Sequence, residues 1–218
     1  MPFYNIFCKK VFLGEKKAIS VHVLNETEIL LVRLVAKQYY QVIPEKFKTY
    51  CVFNARVLAK VFEHFGIESE VVPCQALLSQ PAKSSVIGFV GSSPGAGGWD
   101  GHAICRVGDH YIDASVHHFA DSVADDDLDT VVFKSLPIQS NVLGRSDIDE
   151  RNRFWWVTPP AVPDVTPPSD NPVSILFHSK MLIDHIEKLL NPGASTTAQR
   201  VRLWVSRWMQ RWLPAVAV

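Results

Sequence analysis

The amino-acid sequence predicts an α+β fold, with helices that pack on an antiparallel sheet within a single domain over residues 1–218. Two observations support this prediction. Apolar residues recur at helical spacing in two runs near the beginning of the chain and in two runs near its end. Between them, Gly108-Asp109 separates two alternating runs, which is typical of a two-residue β-hairpin turn. Helices segregated to one side of an antiparallel sheet define the α+β class.

The overall composition and charge of the chain argue against nucleic acid and acidic membranes as binding partners. The chain is 47% hydrophobic and 20% charged, as in ordinary globular proteins, and its 22 basic residues equal its 22 acidic residues in number. No overall field therefore attracts nucleic acid or an acidic membrane surface. No uncharged apolar run approaches the ~18 residues that span a bilayer, and the first twenty residues lack a secretory signal. We therefore expect a cytoplasmic protein that binds no nucleic acid, and we do not expect a membrane partner.

The first two helices carry recognisable end signals. Asn25 with Glu28 three residues later forms a capping-box pattern, and the apolar residues of 29–40 then recur at helical spacing. A second helix is predicted over about 50–65. Gly66 directly follows it, at the position where a helix end favours glycine.

Cys51 lies at the start of this second helix, and two interpretations are open. A thiol at a helix N-terminus beside a histidinium has a lowered pKa, and free N–H groups of the first turn can stabilise an oxyanion. These properties suit a nucleophile. A small buried cysteine on an apolar stripe can equally belong to the core. The stripe consists of Cys51, Ala55, Leu58, Phe62 and Phe65.

The hairpin motif predicts a pair of catalytic side chains. If Gly108-Asp109 forms the turn, Cys105 faces Ile112 across the ladder. His102 and Asp113 then become diagonal neighbours on one face, about 7–8 Å apart between backbones. The carboxylate can orient the imidazole through one nitrogen and leave the other free to act as a base. A purely structural hydrogen bond on a half-exposed sheet is the alternative.

The rest of the chain has weaker signals. Strands are predicted at 67–73, 85–90 and 131–136, so that the core of the domain covers about 25–136. Before the core, short strands or extended arms are predicted at 2–11 and 18–24. The stretch 151–172 contains Phe154, Trp155, Trp156 and six prolines, and is expected to be extended or poorly ordered and to cross the surface, its Pro-rich part at about 157–172. Two C-terminal helices are predicted within 173–213, at about 173–190 and 196–213.

Three motifs together resemble a known family. Cys51–Val72 contains a cysteine that opens a helix, a Gly-Ile turn and a strand, and is followed by Gly101-His102-Ala103 and by Tyr111–Ser115. This order is similar to that of the transglutaminase-like branch of the papain-like cysteine protease superfamily, and arylamine N-acetyltransferases share it. The resemblance covers about 65 residues and implies a papain-like core, in which the helix that carries the Cys packs on an antiparallel sheet that carries the His and Asp.

The resemblance also implies roles for the three residues. Cys51 would be the nucleophile, His102 the general acid and base, and Asp113 the orienting carboxylate. We expect thiol-dependent acyl transfer on a peptide, amide or small acyl substrate, by hydrolysis of an amide, peptide or ester bond or by transfer to an amine. A catalytically inactive binding module on the same fold is the alternative, because no glycine precedes Cys51 by one or two positions. Candidate oxyanion or substrate contacts are Trp99, Gln38 and Gln41.

No cofactor or metal is expected. The four cysteines lie far apart with no CxxC spacing, although a zinc site is a rival interpretation, with Cys105 and one of His102, His110 or His117 as ligands. In the tail, Trp204, Trp208 and Trp212 recur every four residues among arginines. We expect this amphipathic helix to pack on the body or to form a homodimer interface, with membrane association as the less favoured alternative.

Overall fold

The α+β class is confirmed. A computed structural model describes residues 22–81, 84–88, 101–119, 130–136, 141–148, 151–159 and 171–190, which form three α-helices and seven strands. The helices are α1 (Glu26–Val42), α2 (Cys51–His64) and α3 (Pro172–Leu190). The strands are β1 (Ser69–Ser79), β2 (Ser84–Ile87), β3 (His102–Val107), β4 (His110–Asp113), β5 (Val131–Lys134), β6 (Val142–Asp147) and β7 (Arg153–Val157).

The predicted helix ends are confirmed. The side chain of Asn25 accepts a hydrogen bond from the backbone N–H of Glu28 at 3.0 Å, and the Glu28 carboxylate accepts from the backbone N–H of Asn25 at 2.8 Å. This reciprocal capping box satisfies two donors that a helix start leaves without partners. After α2, Gly66 adopts φ +75°, the left-handed conformation that ends many helices. The described C-terminal helix, α3, is also where the sequence predicts it.

The sheet is antiparallel throughout and almost closed. Its strand order is β5-β4-β3-β1-β7-β6, and β2 also pairs with β1. The first half of β1 pairs with β3, and its second half pairs with β7 and β2. The two outer strands approach each other, because the N–H of Leu136 donates to the carbonyl of Leu143 at 2.9 Å. A Cβ on Gly144 would lie 2.2 Å from a ring carbon of Phe133, so this approach needs a glycine.

The two faces of the β3–β4 hairpin pack into two separate clusters. Cys105 pairs with Ile112, as the turn predicts, so side chains alternate strictly between the faces. The face that packs on the helices carries Ala103, Cys105, Val107, Ile112 and Ala114. The opposite face packs Ile104 and Tyr111 against Cys74, Phe133 and Trp156. The predicted division of the hairpin into two faces is therefore confirmed.

The expectation for the start of 151–172 is wrong. Instead of crossing the surface, Arg153–Val157 is strand β7, hydrogen-bonded between β1 and β6. Phe154 and Trp156 are fully buried. The prediction was wrong because it rested on the prolines that follow this segment. Phe154 and Trp156 themselves alternate with the period of two that is typical of a buried strand face. With β6, which the sequence did not predict, the sheet extends beyond residue 136.

Other predictions lie outside the described residues. These are the arm at 2–11, the arm at 18–24 apart from its last three residues, the loop residues 89–100, the Pro-rich residues 160–170 and the helix at 196–213. Among the residues that are described, no helix is long and apolar enough to cross a membrane.

The hairpin turn should tolerate a side chain poorly. Gly108 has φ +55°, and a Cβ there would lie 2.4 Å from Leu24 Cδ2 and 2.7 Å from the carbonyl of His22. Gly66 also has a positive φ, but a Cβ there would meet nothing within 4 Å. We expect Gly66→Ala to lower the free energy of unfolding by about 1–2 kcal/mol, the cost of the backbone conformation. Gly108→Ala should cost clearly more, because it adds a steric clash.

Urea unfolding of both variants measures this difference. Equal losses would contradict the close packing of the His22–Leu24 segment against the turn.

Candidate active site

Cys51 lies where a helix N-terminus meets the end of a strand. It is the first residue of α2, and its Sγ is 3.8 Å from the carbonyl oxygen of Gly101, the residue before His102. The described cysteines are free thiols, and Cys51 is partly exposed whereas Cys74 and Cys105 are buried. The position gives the sulfur both solvent access and the favourable field of a helix N-terminus.

His102 and Asp113 form a buried hydrogen-bonded pair. His102 lies at the start of β3 and Asp113 at the end of β4, and each side chain is 1% exposed. His102 Nε2 is 2.7 Å from Asp113 Oδ2. The predicted juxtaposition of these two side chains is therefore confirmed.

Two further donors hold the carboxylate of Asp113. The indole Nε1–H of Trp156 donates to Oδ2 at 2.7 Å, and the backbone N–H of Ser115 donates to Oδ1 at 2.8 Å. Three hydrogen bonds thus fix one buried carboxylate and offset much of its lost hydration. The sequence did not predict that Trp156 would be part of this site. Its signal was the alternating aromatic pattern of 154–156, which could have indicated a buried strand but not a partner 43 residues away.

The electrostatics favour a charged pair. Burial tends to lower the pKa of His102, but the Asp113 carboxylate and the Cys51 sulfur outweigh it and raise that pKa to about 10. Burial tends to raise the pKa of Asp113, whereas His102, Trp156 and Ser115 lower it below its usual value. At neutral pH the pair is therefore imidazolium and carboxylate.

The second ring nitrogen of His102 is left free. Nδ1 is buried and has no hydrogen-bond partner, although Cys51 is close enough to contribute to the raised pKa of the ring. A buried donor without a partner costs about 1–3 kcal/mol. An imidazolium that is fixed through Nε2 can donate from Nδ1 to a neighbouring sulfur or to a leaving group.

Cys74 is a second thiol beside the pair. It lies directly opposite His102 in the β1–β3 ladder and is 2% exposed. Burial, followed by the charges of Asp113 and Cys51, raises its pKa well above the usual value. Cys74 is therefore a neutral thiol, unsuited to nucleophilic attack.

The two predicted glutamine contacts, Gln38 and Gln41, have other surroundings in the structure. The side-chain oxygen of Gln38 is 3.0 Å from Nε2 of His185 on α3. Gln41 is exposed and lines a cavity of about 370 Å³ next to Thr130. Trp99 lies outside the described residues. Cys51 adjoins the backbone N–H groups in the first turn of α2, where a helix start leaves donors without intrahelical partners.

The arrangement does not favour the zinc interpretation. Cys105 lies on the helix-facing side of β3, whereas His102 lies on the other side with the second cluster, and burial raises the pKa of Cys105 well above its usual value. Within the described ranges, no three His, Cys, Asp or Glu side chains are grouped so as to hold a metal ion.

Comparison with known proteins identifies no family. No family model matches this chain, and no curated protein matches it. Among solved structures, it is similar to the crystal structure of a structural-genomics target, with 12% sequence identity over 78% of this chain and 82% of that chain, and a TM-score of 0.36. A likeness this low carries no inference about fold or activity.

The ion pair should make stability depend on pH. His102 keeps its proton in the folded state up to about pH 10 but loses it near pH 6.5 when unfolded, so its contribution is complete below pH 6.5 and is lost as the pH rises toward 10. We expect the free energy of unfolding to fall over this interval, by up to about 1.4 kcal/mol per pH unit. Urea unfolding at a series of pH values measures the slope.

His102→Gln is the control for this slope, because glutamine does not titrate. An unchanged slope in that variant would show that other groups cause the pH dependence.

Trp156 should control the acid side of the profile. The stabilising effect of ionised Asp113 is present above its unfolded pKa and is lost as the pH falls through the lower folded pKa. Trp156→Phe removes one donor and raises the folded pKa, so acid unfolding should begin at a higher pH. Trp155→Phe is the matched control on the same strand, since Trp155 is only half-buried. Acid titrations followed by circular dichroism compare the two, and equal midpoints would contradict the role of the indole.

Proposed function

We propose that this protein catalyses acyl transfer through a covalent thioester on Cys51, with His102 as general acid and base and Asp113 as the orienting carboxylate. One observation carries the proposal. His102 is held through Nε2 by a buried carboxylate, its Nδ1 has no hydrogen-bond partner, and its ring is close enough to the Cys51 sulfur at the helix start to interact with it. This combination is the arrangement that activates a cysteine nucleophile.

The proposed reaction has two halves. At neutral pH the His102 imidazolium carries a proton on Nδ1. Cys51 attacks the carbonyl carbon of the substrate as its thiolate. N–H groups of the first turn of α2 stabilise the oxyanion, and the leaving group departs with the proton from Nδ1. Water or an amine then attacks the thioester and gives a proton to Nδ1, which releases the acyl product and restores the Cys51 thiolate beside the His102 imidazolium.

The substrate is proposed at the level of its reacting group. A peptide, amide or small acyl compound provides the carbonyl that the thiolate attacks, and hydrolysis is the primary proposal. Transfer to an amine uses the same base and remains the alternative. The α+β architecture and the order of Cys51, His102 and Asp113 support a transglutaminase-like enzyme with a papain-like core. The free thiols support a reducing, cytoplasm-like compartment.

A binding module that has lost catalysis is the competing proposal. It is favoured by the burial of His102 at 1% exposure and by the engagement of Gln38 with His185, which removes one side-chain candidate for the oxyanion hole. The reactivity of the thiol separates the two, because an inactive scaffold has no reason to retain a thiolate.

The test is the rate of Cys51 alkylation by iodoacetamide as a function of pH. Cys8 is replaced by Ser so that it does not take up the label. We expect alkylation near pH 6 at least about tenfold faster than that of a model thiol, because the histidinium stabilises the thiolate. His102→Ala should abolish this reactivity below pH 7.

Two variants serve as controls. Cys51→Ser should lose the fast labelling. Cys105 lies on the face of the hairpin opposite to His102, so Cys105→Ala should keep the wild-type dependence of the alkylation rate on pH. Catalysis by this site is ruled out if wild-type Cys51 reacts no faster than a model thiol and His102→Ala leaves the pH dependence of the alkylation rate unchanged.

A further inference from the structure

Asn54 is a buried amide three residues after Cys51 on α2, with 1% exposure. We infer that Asn54 is a positioning residue that sets the place of Cys51 relative to the His102–Asp113 pair. The inference rests on the proposed function. Residues three apart on a helix share a face, so the position of Asn54 determines where the sulfur lies.

Both polar atoms of this amide have hydrogen-bond partners. Its Oδ1 accepts from the hydroxyl of Tyr39 at 2.9 Å. Four oxygens surround its Nδ2, at 2.8 Å for the Phe47 carbonyl, 2.9 Å for Ser115 Oγ, 3.0 Å for the Tyr40 hydroxyl and 3.2 Å for the Ala114 carbonyl. An amide has two N–H donors, so the two closest oxygens are its main acceptors.

A continuous polar path leads from Asn54 into the candidate site. The amide donates to Ser115 Oγ, and the backbone N–H of Ser115 donates to Asp113 at 2.8 Å. Asp113 in turn holds His102. The path therefore begins on the helix that carries the nucleophile and ends at the base that would take its proton.

The same amide joins the elements around the start of α2. The Phe47 carbonyl belongs to the short 3-10 turn Glu45–Phe47 that precedes Cys51. The Tyr40 hydroxyl of α1 donates to the Ala114 carbonyl, directly after β4. Asn54 thus bonds to α1, to the connector and to the chain that follows the Asp113 strand.

Apolar packing alone leaves the axial position of α2 weakly specified. The helix packs through Val57, Leu58 and Val61 into the apolar cluster that the helices share with the sheet, and such contacts are non-directional. One residue of axial slip moves a helix by about 1.5 Å, and a misplacement of about 1 Å in a catalytic group can cost about 100-fold in rate. Directional hydrogen bonds from one buried amide can fix the position that packing leaves open.

The hydroxyl groups of Ser115 and Tyr39 are both hydrogen-bonded to the Asn54 amide, which allows a matched test of its role. Ser115→Ala removes the bond that faces the candidate site, and Tyr39→Phe removes the bond that faces away from it. Each change deletes one buried hydrogen bond and should cost a similar free energy of unfolding. A merely structural amide would respond alike to both, whereas a positioning residue would not.

The experiment combines urea unfolding with the pH profile of Cys51 alkylation by iodoacetamide, in the chain that carries Cys8→Ser. We expect Ser115→Ala to slow alkylation near pH 6 by about threefold and Asn54→Leu by about tenfold or more. Tyr39→Phe should keep the wild-type profile despite its loss of stability.

The outcomes separate this inference from the proposed function. If Ser115→Ala and Tyr39→Phe lose similar stability and both keep the wild-type profile, Asn54 is only structural, and the proposed function stands. Should Asn54→Leu fail to fold, Ser115→Ala decides. If His102→Ala does not change the pH dependence of Cys51 alkylation, the proposed function is overturned. The positioning role of Asn54 is then overturned with it, because that role depends on the His102–Asp113 pair.

Discussion

The buried pair of His102 and Asp113 is the interaction on which the rest of the structure depends. Two charged groups at 1% exposure are expensive to bury, and removing either partner would leave an uncompensated charge. The cost is offset because Asp113 also accepts from the Trp156 indole and the Ser115 backbone. These donors come from distant parts of the chain. The pair is therefore stable only when β3, β4 and β7 lie together in one sheet.

The two faces of the hairpin separate packing from chemistry. The helix-facing side of β3 and β4 is apolar and anchors α2, whereas the other side holds His102 with Asp113 and packs against Cys74 and Trp156. Cys51 lies at the sheet end where α2 begins, its sulfur close to the carbonyl before His102. The nucleophile and base that we propose therefore belong to different layers, and Asn54 links the two layers through Ser115.

The unpartnered Nδ1 of His102 costs stability, and its place near Cys51 supports the role that we propose for this ring. Each ring nitrogen has a distinct environment, because Nε2 is bound to a carboxylate and Nδ1 lies near a sulfur. The raised pKa of His102 means that the ring keeps a proton at neutral pH. This chemistry is common to hydrolysis and to amine transfer, so the acceptor depends on the substrate pocket and not on these three residues.

Local signals in the sequence were enough for the capping box at Asn25, the helix end at Gly66 and the turn at Gly108. Because side chains in a strand alternate with period two, that turn alone determined that His102 and Asp113 share a face. The sequence could not indicate that Trp156 would bond to Asp113, that Arg153–Val157 would pair with both β1 and β6, or that Asn54 would reach Ser115. Those contacts join residues 43 and 61 positions apart. Only the tertiary structure decided them, because strand order and helix docking depend on packing across the whole chain and not on any local pattern.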